Sequence, residues 1–266
     1  MLLEFKFENY KSFAEETIFS MIPAPKQKGL DYSILKTKIK SKKYKALCSS
    51  VIYGPNASGK TNFIGAMDTF KKIVLRGNIN NSKSNIAQEA NIAVNILELI
   101  PNNTNKYAKP VKFSIKFIEN NLLIEYSLSI YIGEFAEMDV KRKIVSEKLL
   151  VNDIIIYERD DELSFGNLSK ISGFLIENFE NNKESAKELA KNGLNEKELF
   201  LSNGFKNIFS PKLSKLITNW LEKKFVTIYK FNQSTLEIKI PNKIELNKRD
   251  AASAIKSNKY ISEVIY

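Results

Sequence analysis

The chain has 266 residues, of which 43% are hydrophobic and 27% are charged, a composition typical of a globular protein with a full apolar core. It carries a net charge of +11 and contains no histidine, which excludes histidine-based metal sites and histidine acid–base catalysis within the chain. No apolar run approaches the ~20 residues of a membrane span, and residues 1–13 carry charges where a signal peptide has its apolar core. These features predict a cytoplasmic protein with no membrane contact.

The N-terminal quarter has the patterns of strands and hairpins. Residues 2–13, LLEFKFENYKSF, predict a half-buried strand with Leu3, Phe5 and Phe7 on one face, and residues 15–21 predict a second strand paired with it. Residues 36–45, KTKIKSKKYK, then concentrate basic charge around one tyrosine. A solvated hairpin is the favoured interpretation of this stretch, and a surface for a polyanion such as DNA or RNA is the alternative.

Residues 48–75 contain the one motif in the chain whose residue spacing predicts a specific chemical function. Residues 54–61, GPNASGKT, fit the P-loop pattern G-x-x-x-x-G-K-[ST]. Residues 49–53 before it predict a short apolar strand, with Cys48 as a buried small residue beside it, and residues 62–75 after it have helical apolar spacing. A glycine-containing turn that matches by accident is the alternative, and the flanking strand and helix patterns disfavour it.

The P-loop pattern predicts a site for a nucleoside triphosphate with magnesium. Gly54 and Gly59 let the backbone turn tightly and approach a phosphate, and the N-terminus of the following helix adds a partial positive charge. Lys60 is the predicted catalytic residue, with its ammonium on the β and γ phosphate oxygens, and the Thr61 hydroxyl is the predicted ligand of Mg²⁺. The predicted nucleotide-binding residues of the loop are Gly54, Pro55, Asn56, Ala57, Ser58, Gly59, Lys60, Thr61 and Asn62.

The rest of the chain predicts first strands and then helices. Strand patterns joined by turn residues occupy 111–118, 122–132, 139–150, 153–158 and 163–165, which indicates an antiparallel sheet beside the nucleotide core. Apolar residues then recur at helical spacing, for example over residues 213–221. The predicted fold is an α/β P-loop NTPase with an added antiparallel sheet and a helical insertion. Its predicted parts are a nucleotide-binding lobe at 1–168, a helical arm at 169–224 and an incomplete return to the ATPase core at 225–266.

The loop GPNASGKT and the opening LLEFKFENYKSF together resemble ABC-class ATPases of the RecF, SMC and OLD type, in particular bacterial AAA-family ATP-binding proteins linked to phage defence. In that group an N-terminal strand ending in Asn-aromatic-basic-Ser precedes the Walker A loop, as residues 9–12 do here, and the third loop position is commonly Asn, as Asn56 is. The resemblance implies ATP and Mg²⁺ as cofactors and a homo- or heterodimer formed through the nucleotide. It also implies that Lys11 and Ser12 lie near the base or ribose, with an exposed strand end as the alternative.

The chain departs from that group in the elements that close the site. Residues 201–204, LSNG, only partly imitate an LSGGQ-type signature, and residues 225–229 stand where a Walker B strand would end in Asp-Glu but are followed by Lys230, which would repel magnesium. The hypothesis is therefore an N-terminal ATPase lobe that hydrolyses ATP when a signature and Walker B lobe completes it, in a DNA- or defence-related complex. The alternative is a Mg-ATP switch without hydrolysis. A small-molecule kinase is disfavoured, because the helical region lacks the arginines of a phosphate lid.

Overall fold

A computed structural model of the chain describes residues 1–25, 29, 31–80, 97–105, 107–134, 142–176 and 183–227. Met1–Phe225 forms one compact unit and Val226–Tyr266 a second, of which residues 226 and 227 are described. Residues 228–266 of the predicted return to the ATPase core lie outside the described residues, as do residues 139–141 of a predicted strand. No helix within the described ranges is long and apolar enough to cross a membrane.

Most strands of the described residues belong to one seven-stranded antiparallel sheet. In chain order the strands are β1 (Leu2–Glu8), β2 (Thr17–Ser20), β3 (Ile34–Ile39), β4 (Lys42–Leu47), β5 (Val111–Glu119), β6 (Leu122–Tyr131), β7 (Lys143–Val151), β8 (Ile154–Arg159) and β9 (Leu163–Phe165). The order across the sheet is β2-β1-β5-β6-β7-β8-β9, and β3 and β4 form a separate hairpin. The predicted pairing of the first two strands and the predicted antiparallel sheet are confirmed.

The turns of this sheet explain how tightly its strands are joined. Asn120 and Asn121 between β5 and β6 have φ values of 47° and 59°, and Asn152 and Asp153 between β7 and β8 have φ values of 52° and 64°. Two consecutive residues with positive φ are typical of two-residue hairpin turns, and asparagine and aspartate tolerate that conformation better than most residues do. These local sequences therefore set the register of both hairpins.

The P-loop helix α1 (Lys60–Arg76) packs on one face of the sheet. The Phe70 ring lies 5.7 Å from the ring of Phe5, 6.0 Å from that of Phe113 and 6.2 Å from that of Tyr126, measured between centroids. All four rings are buried, and each such burial contributes about 1.5–3 kcal/mol to stability. The antiparallel sheet is therefore not beside the P-loop helix but forms the surface that supports it.

The helical region contains α2 (Lys183–Asn192), α3 (Pro211–Lys223) and two short 3-10 segments, Leu168–Phe174 and Phe205–Asn207. The Ser210 side chain caps α3 by accepting a hydrogen bond from the Lys212 amide, with Pro211 at the first helical turn. Trp220 stacks on Phe117 of β5 at 3.9 Å between ring centroids. The predicted helical pattern at 213–221 is confirmed, and its apolar stripe packs against the sheet.

The prediction of a strand at residues 49–53 is wrong. These residues have no regular structure, and the side chains of Val51 and Tyr53 are 80% and 91% exposed. Cys48 is also exposed and not buried as predicted. Apolar and β-branched residues form a strand only where a neighbouring strand supplies hydrogen bonds and a packing surface, and no strand of the described part of the chain pairs with this segment.

Candidate nucleotide-binding site

The predicted P-loop is a tight turn that leads directly into α1. Ala57 and Gly59 both have positive φ values, 64° and 92°, and the Ser58 amide donates to the Pro55 carbonyl at 3.3 Å. The helix begins at Lys60, and its first regular hydrogen bond joins the Phe63 amide to the Gly59 carbonyl at 2.9 Å. Gly59 provides no side-chain cap. The first amides of α1, which have no acceptor within the helix, are therefore left without a capping side chain.

Glycine is required at position 59 for two separate reasons. Its φ of 92° lies in the left-handed region, which strains any residue with a Cβ atom. A Cβ atom there would also lie 2.9 Å from the Ser12 Oγ and 3.1 Å from the Phe13 ring. Position 59 thus places the P-loop backbone directly against the turn that follows β1. At Gly54 a Cβ atom would meet only the Ser58 side chain, whose hydroxyl, at 2.8 Å, can rotate away.

Lys60 folds back over the loop that precedes it. Its ammonium donates hydrogen bonds to the carbonyl oxygens of Gly54 and Pro55, both at 2.7 Å. The ammonium therefore lies within the loop, where a P-loop lysine is needed for contact with phosphate. The two carbonyls are neutral acceptors, so a triphosphate oxygen would be a stronger partner for the same ammonium.

Thr61 and Asn62 occupy the first turn of α1. Thr61 is exposed, so its hydroxyl is accessible to an ion at the mouth of the loop. The Asn62 side-chain amide donates to the Ser12 Oγ at 2.9 Å. This hydrogen bond is a second link, besides the contact at Gly59, between the P-loop and the turn after β1.

The turn after β1 brings Ser12 to the P-loop and places Lys11 elsewhere. Tyr10 and Phe13 exchange backbone hydrogen bonds of 2.9 Å, and Lys11 has a φ of 48°. The Lys11 ammonium forms an ion pair with Glu98 at 2.5 Å, and it lies 5.5 Å above the Tyr10 ring. Ser12 is therefore hydrogen-bonded to Asn62 and lies close to the backbone of Gly59, whereas the Lys11 charge is directed to Glu98. The assignment of both residues to the nucleotide base or ribose stays a prediction.

The signature-like residues 201–204 lie at the opposite end of α1. The Ser202 side chain is so close to Gly77, the residue that ends α1, that a Cβ atom on Gly77 would be 2.6 Å from it. The P-loop precedes the first residue of the same 17-residue helix, which is about 25 Å long at 1.5 Å per residue. The structure therefore does not bring residues 201–204 to the P-loop of the same chain.

A buried carboxylate fixes that segment to the sheet, and the sequence did not predict its role. Glu147 of β7 is fully buried and accepts hydrogen bonds from the hydroxyls of Tyr126 and Tyr157, at 2.8 and 2.7 Å. It also accepts from the backbone amides of Phe200 and Leu201, at 2.7 and 3.0 Å. The signal was present in the alternation of β7, because Leu149 and Val151 share the buried face on which Glu147 then falls.

Burial changes the titration of the two tyrosines in this cluster. Loss of solvation first, and the neighbouring Glu147 charge second, raise the pKa of Tyr126 and the pKa of Tyr157 well above their ordinary value. Arg159, whose guanidinium donates to the carbonyls of Glu198 and Asn195, lies 3.9 Å from the Glu147 carboxylate. The cluster is fully hydrogen-bonded and buried, which indicates a structural role.

Comparison with known proteins agrees with the P-loop geometry. A family described as "AAA domain, putative AbiEii toxin, Type IV TA system" matches residues 49–191, more than half of the chain. The chain therefore belongs to this AAA-domain family, which is of the P-loop type and is associated with ATP binding and hydrolysis. No curated protein sequence matches it.

Proposed function

We propose that this protein binds Mg-ATP at residues 54–61 and hydrolyses it when a second lobe supplies the signature and Walker B elements. The observation that carries the proposal is the position of Lys60, whose ammonium lies over the loop 2.7 Å from two backbone carbonyls. On ATP binding this ammonium exchanges those neutral acceptors for the charged β and γ phosphate oxygens. The uncapped start of α1 and the left-handed Gly59 supply backbone amides to the same phosphates.

Magnesium fits the same site through Thr61. Its exposed hydroxyl, on the first turn of α1, is an oxygen ligand of the kind that Mg²⁺ takes together with phosphate oxygens and water. Ser12 contributes through its hydrogen bond with Asn62, which holds the turn after β1 against the loop. Lys11 reaches the nucleotide only if it leaves Glu98.

Completion by a second lobe is supported by the segment before the P-loop. Residues 49–53 include Val51 and Tyr53, whose side chains are almost fully exposed, and burial of an apolar segment of this kind by a pairing strand is favourable. The second lobe of the proposal would supply that pairing strand. The resulting assembly is a homo- or heterodimer through the nucleotide, in which ATP closes the lobes and hydrolysis reopens them.

The second candidate is a Mg-ATP switch that does not hydrolyse the nucleotide. One observation favours it: Lys230 follows residues 225–229, where a Walker B strand would end in Asp-Glu, and its charge would repel magnesium. In this case Thr61 and the phosphates hold Mg²⁺, and the bound ATP stays intact.

The two candidates are separated by measuring phosphate release from Mg-ATP. The purified chain is assayed alone and together with the products of the neighbouring genes, as wild type and as Lys60→Ala. Turnover that depends on Lys60 in either preparation supports the ATPase. ATP binding without turnover in both preparations supports the switch. A matched control is Lys72→Ala, twelve residues further along α1, where the side chain pairs with Asp68 and not with the loop.

A role in phage defence, in the cytoplasm, completes the proposal. Its support is the description of the family, which refers to type IV toxin–antitoxin systems, together with the sequence resemblance. The test is the plating efficiency of phages on cells that carry the intact locus with wild-type or Lys60→Ala protein. Equal plating on the two strains by every phage tried, and on cells without the locus, would remove this part of the proposal.

A further inference from the structure

The hairpin of β3 and β4 displays its lysines on one face. Lys36 is directly opposite Lys45, and Lys38 is directly opposite Lys43. Residues directly opposite each other in an antiparallel pair project to the same side, with Cβ atoms about 4.5–5.5 Å apart. All four side chains are exposed. We call this face, formed by Lys36, Lys38, Lys43 and Lys45, the lysine face.

The other side of the hairpin is packed, so the direction of the lysine face is fixed. Ile39 and Ala46 are buried together with Leu3, Ile118 and Leu123 of the sheet. Lys42 lies on this packed side, and its ammonium donates to Asp153 at 2.7 Å. The hairpin cannot turn its lysines toward the protein without exposing this small apolar cluster.

The lysines of the lysine face repel one another, and the protein supplies few negative charges to reduce this repulsion. Like charges directly opposite each other on a sheet are destabilising. Lys36 is paired with Asp31, but Lys38, Lys43 and Lys45 form no ion pair with any residue in the described ranges. A surface on which three ammonium groups stay unpaired is suited to an external anion with several charges.

We propose that the lysine face binds the phosphate backbone of double-stranded DNA without reading its sequence. A two-stranded ribbon fits the ~12 Å major groove of B-DNA, and lysines two residues apart repeat at about 6.6–6.8 Å along each strand. The strand positions of this face carry no aromatic side chain and no arginine, so stacking on single-stranded bases and bidentate contacts to guanine are not available. The contacts are lysine to phosphate, which position the protein but do not specify a sequence.

The lysine face is also next to the candidate nucleotide site in the chain. β4 ends at Leu47, and only residues 48–53 separate it from Gly54 of the P-loop. The proposed DNA contact does not depend on ATP binding, because it uses side chains outside the P-loop. Its failure and the failure of the proposed ATP site are therefore distinguishable in separate measurements.

The test is fluorescence anisotropy with a labelled 30-base-pair DNA duplex and the full chain, over a series of salt concentrations. The variant Lys38→Gln/Lys43→Gln/Lys45→Gln removes three charges from the lysine face. The control Lys206→Gln/Lys212→Gln/Lys215→Gln removes three exposed charges from the helical region. A third variant, Lys38→Arg/Lys43→Arg/Lys45→Arg, keeps the charge.

We expect the lysine-face variant to bind duplex about tenfold or more weakly at 0.1 M salt, with a salt slope smaller by about 0.9 for each lost phosphate contact. The control and the arginine variant should keep wild-type binding. Equal losses in the lysine-face variant and the control would overturn the proposal, as would absence of duplex binding by the wild type at low salt. Tighter wild-type binding to single-stranded DNA, duplex RNA or polyglutamate than to duplex DNA would overturn the assignment of the partner.

Discussion

The Asn62 side-chain amide lies 2.9 Å from the Ser12 Oγ, so that the first turn of the P-loop helix is hydrogen-bonded to the turn after the first strand. A Cβ atom at position 59 would lie 2.9 Å from the same Oγ, so the loop backbone passes close to this serine. Two segments that are fifty residues apart in sequence therefore hold one loop, and changes in either segment are expected to affect it.

The first prediction concerns Gly59→Ala. The change should lower the free energy of unfolding by about 1–2 kcal/mol from the left-handed φ alone, and further through the contact with Ser12 and Phe13. Urea unfolding of the nucleotide-free protein measures it. Gly29→Ala is the control, because Gly29 has a φ of 80° and nothing within 4 Å of its Cβ position. A Ser12→Ala change added to Gly59→Ala should recover part of the loss. Equal losses at positions 29 and 59 would contradict the close contact.

The second prediction concerns the buried carboxylate. Glu147→Gln replaces one of two acceptor oxygens by a donor, so the Phe200 or Leu201 amide loses its partner, at a cost of about 1–3 kcal/mol. Glu158→Gln on the adjacent strand is the control, because its ion pair with Lys148 is partly exposed and should contribute less than about 1 kcal/mol. Chemical denaturation at pH 7 measures the free energy of unfolding of both variants. If Glu147→Gln is no more destabilised than Glu158→Gln, the cluster does not hold residues 199–204 to the sheet.

The third prediction is a loss of stability in alkali. The pKa of Tyr126 and the pKa of Tyr157 are raised by burial and by Glu147, so above pH ~10 the unfolded chain ionises these tyrosines while the folded chain keeps them protonated. The folded state then binds more protons than the unfolded state, and stability falls as the pH rises, by up to about 1.4 kcal/mol per pH unit for each tyrosine.

Replacing these tyrosines tests that mechanism. Tyr126→Phe/Tyr157→Phe should be less stable than wild type at pH 7, because hydrogen bonds to Glu147 are lost, yet should show a smaller slope above pH 10. Tyr32→Phe, at an exposed position, should keep the wild-type slope. Stability is measured by urea unfolding between pH 7 and pH 11. An unchanged slope in the double variant would show that other groups cause the alkaline loss.

Local patterns in the sequence predicted most of the described elements. The alternation of Phe5 and Phe7, the asparagine turns between strands and the helical stripe ending at Leu221 each depend on residues close in sequence. Such signals need no knowledge of what packs against them. The P-loop could likewise be predicted from the spacing of its glycines and Lys60.

The features that were missed depend on long-range pairing. Residues 49–53 have the composition of a strand, but whether they form one depends on a partner strand that local sequence does not specify. The hydrogen bond between Ser12 and Asn62 and the amide partners of Glu147 could not be predicted, because they join segments that are far apart in the sequence. The cross-strand lysine pairs likewise could not be identified without the register of the β3–β4 hairpin.

The most direct test of the account is an equilibrium titration of the purified chain with Mg-ATP, for wild type, Lys60→Ala and the control Lys72→Ala. We expect saturable one-site binding by wild type and Lys72→Ala, and at least about a tenfold loss of affinity, or 1.4 kcal/mol, in Lys60→Ala. Equal affinities of wild type and Lys60→Ala, or no wild-type binding even with the products of the neighbouring genes present, would contradict it.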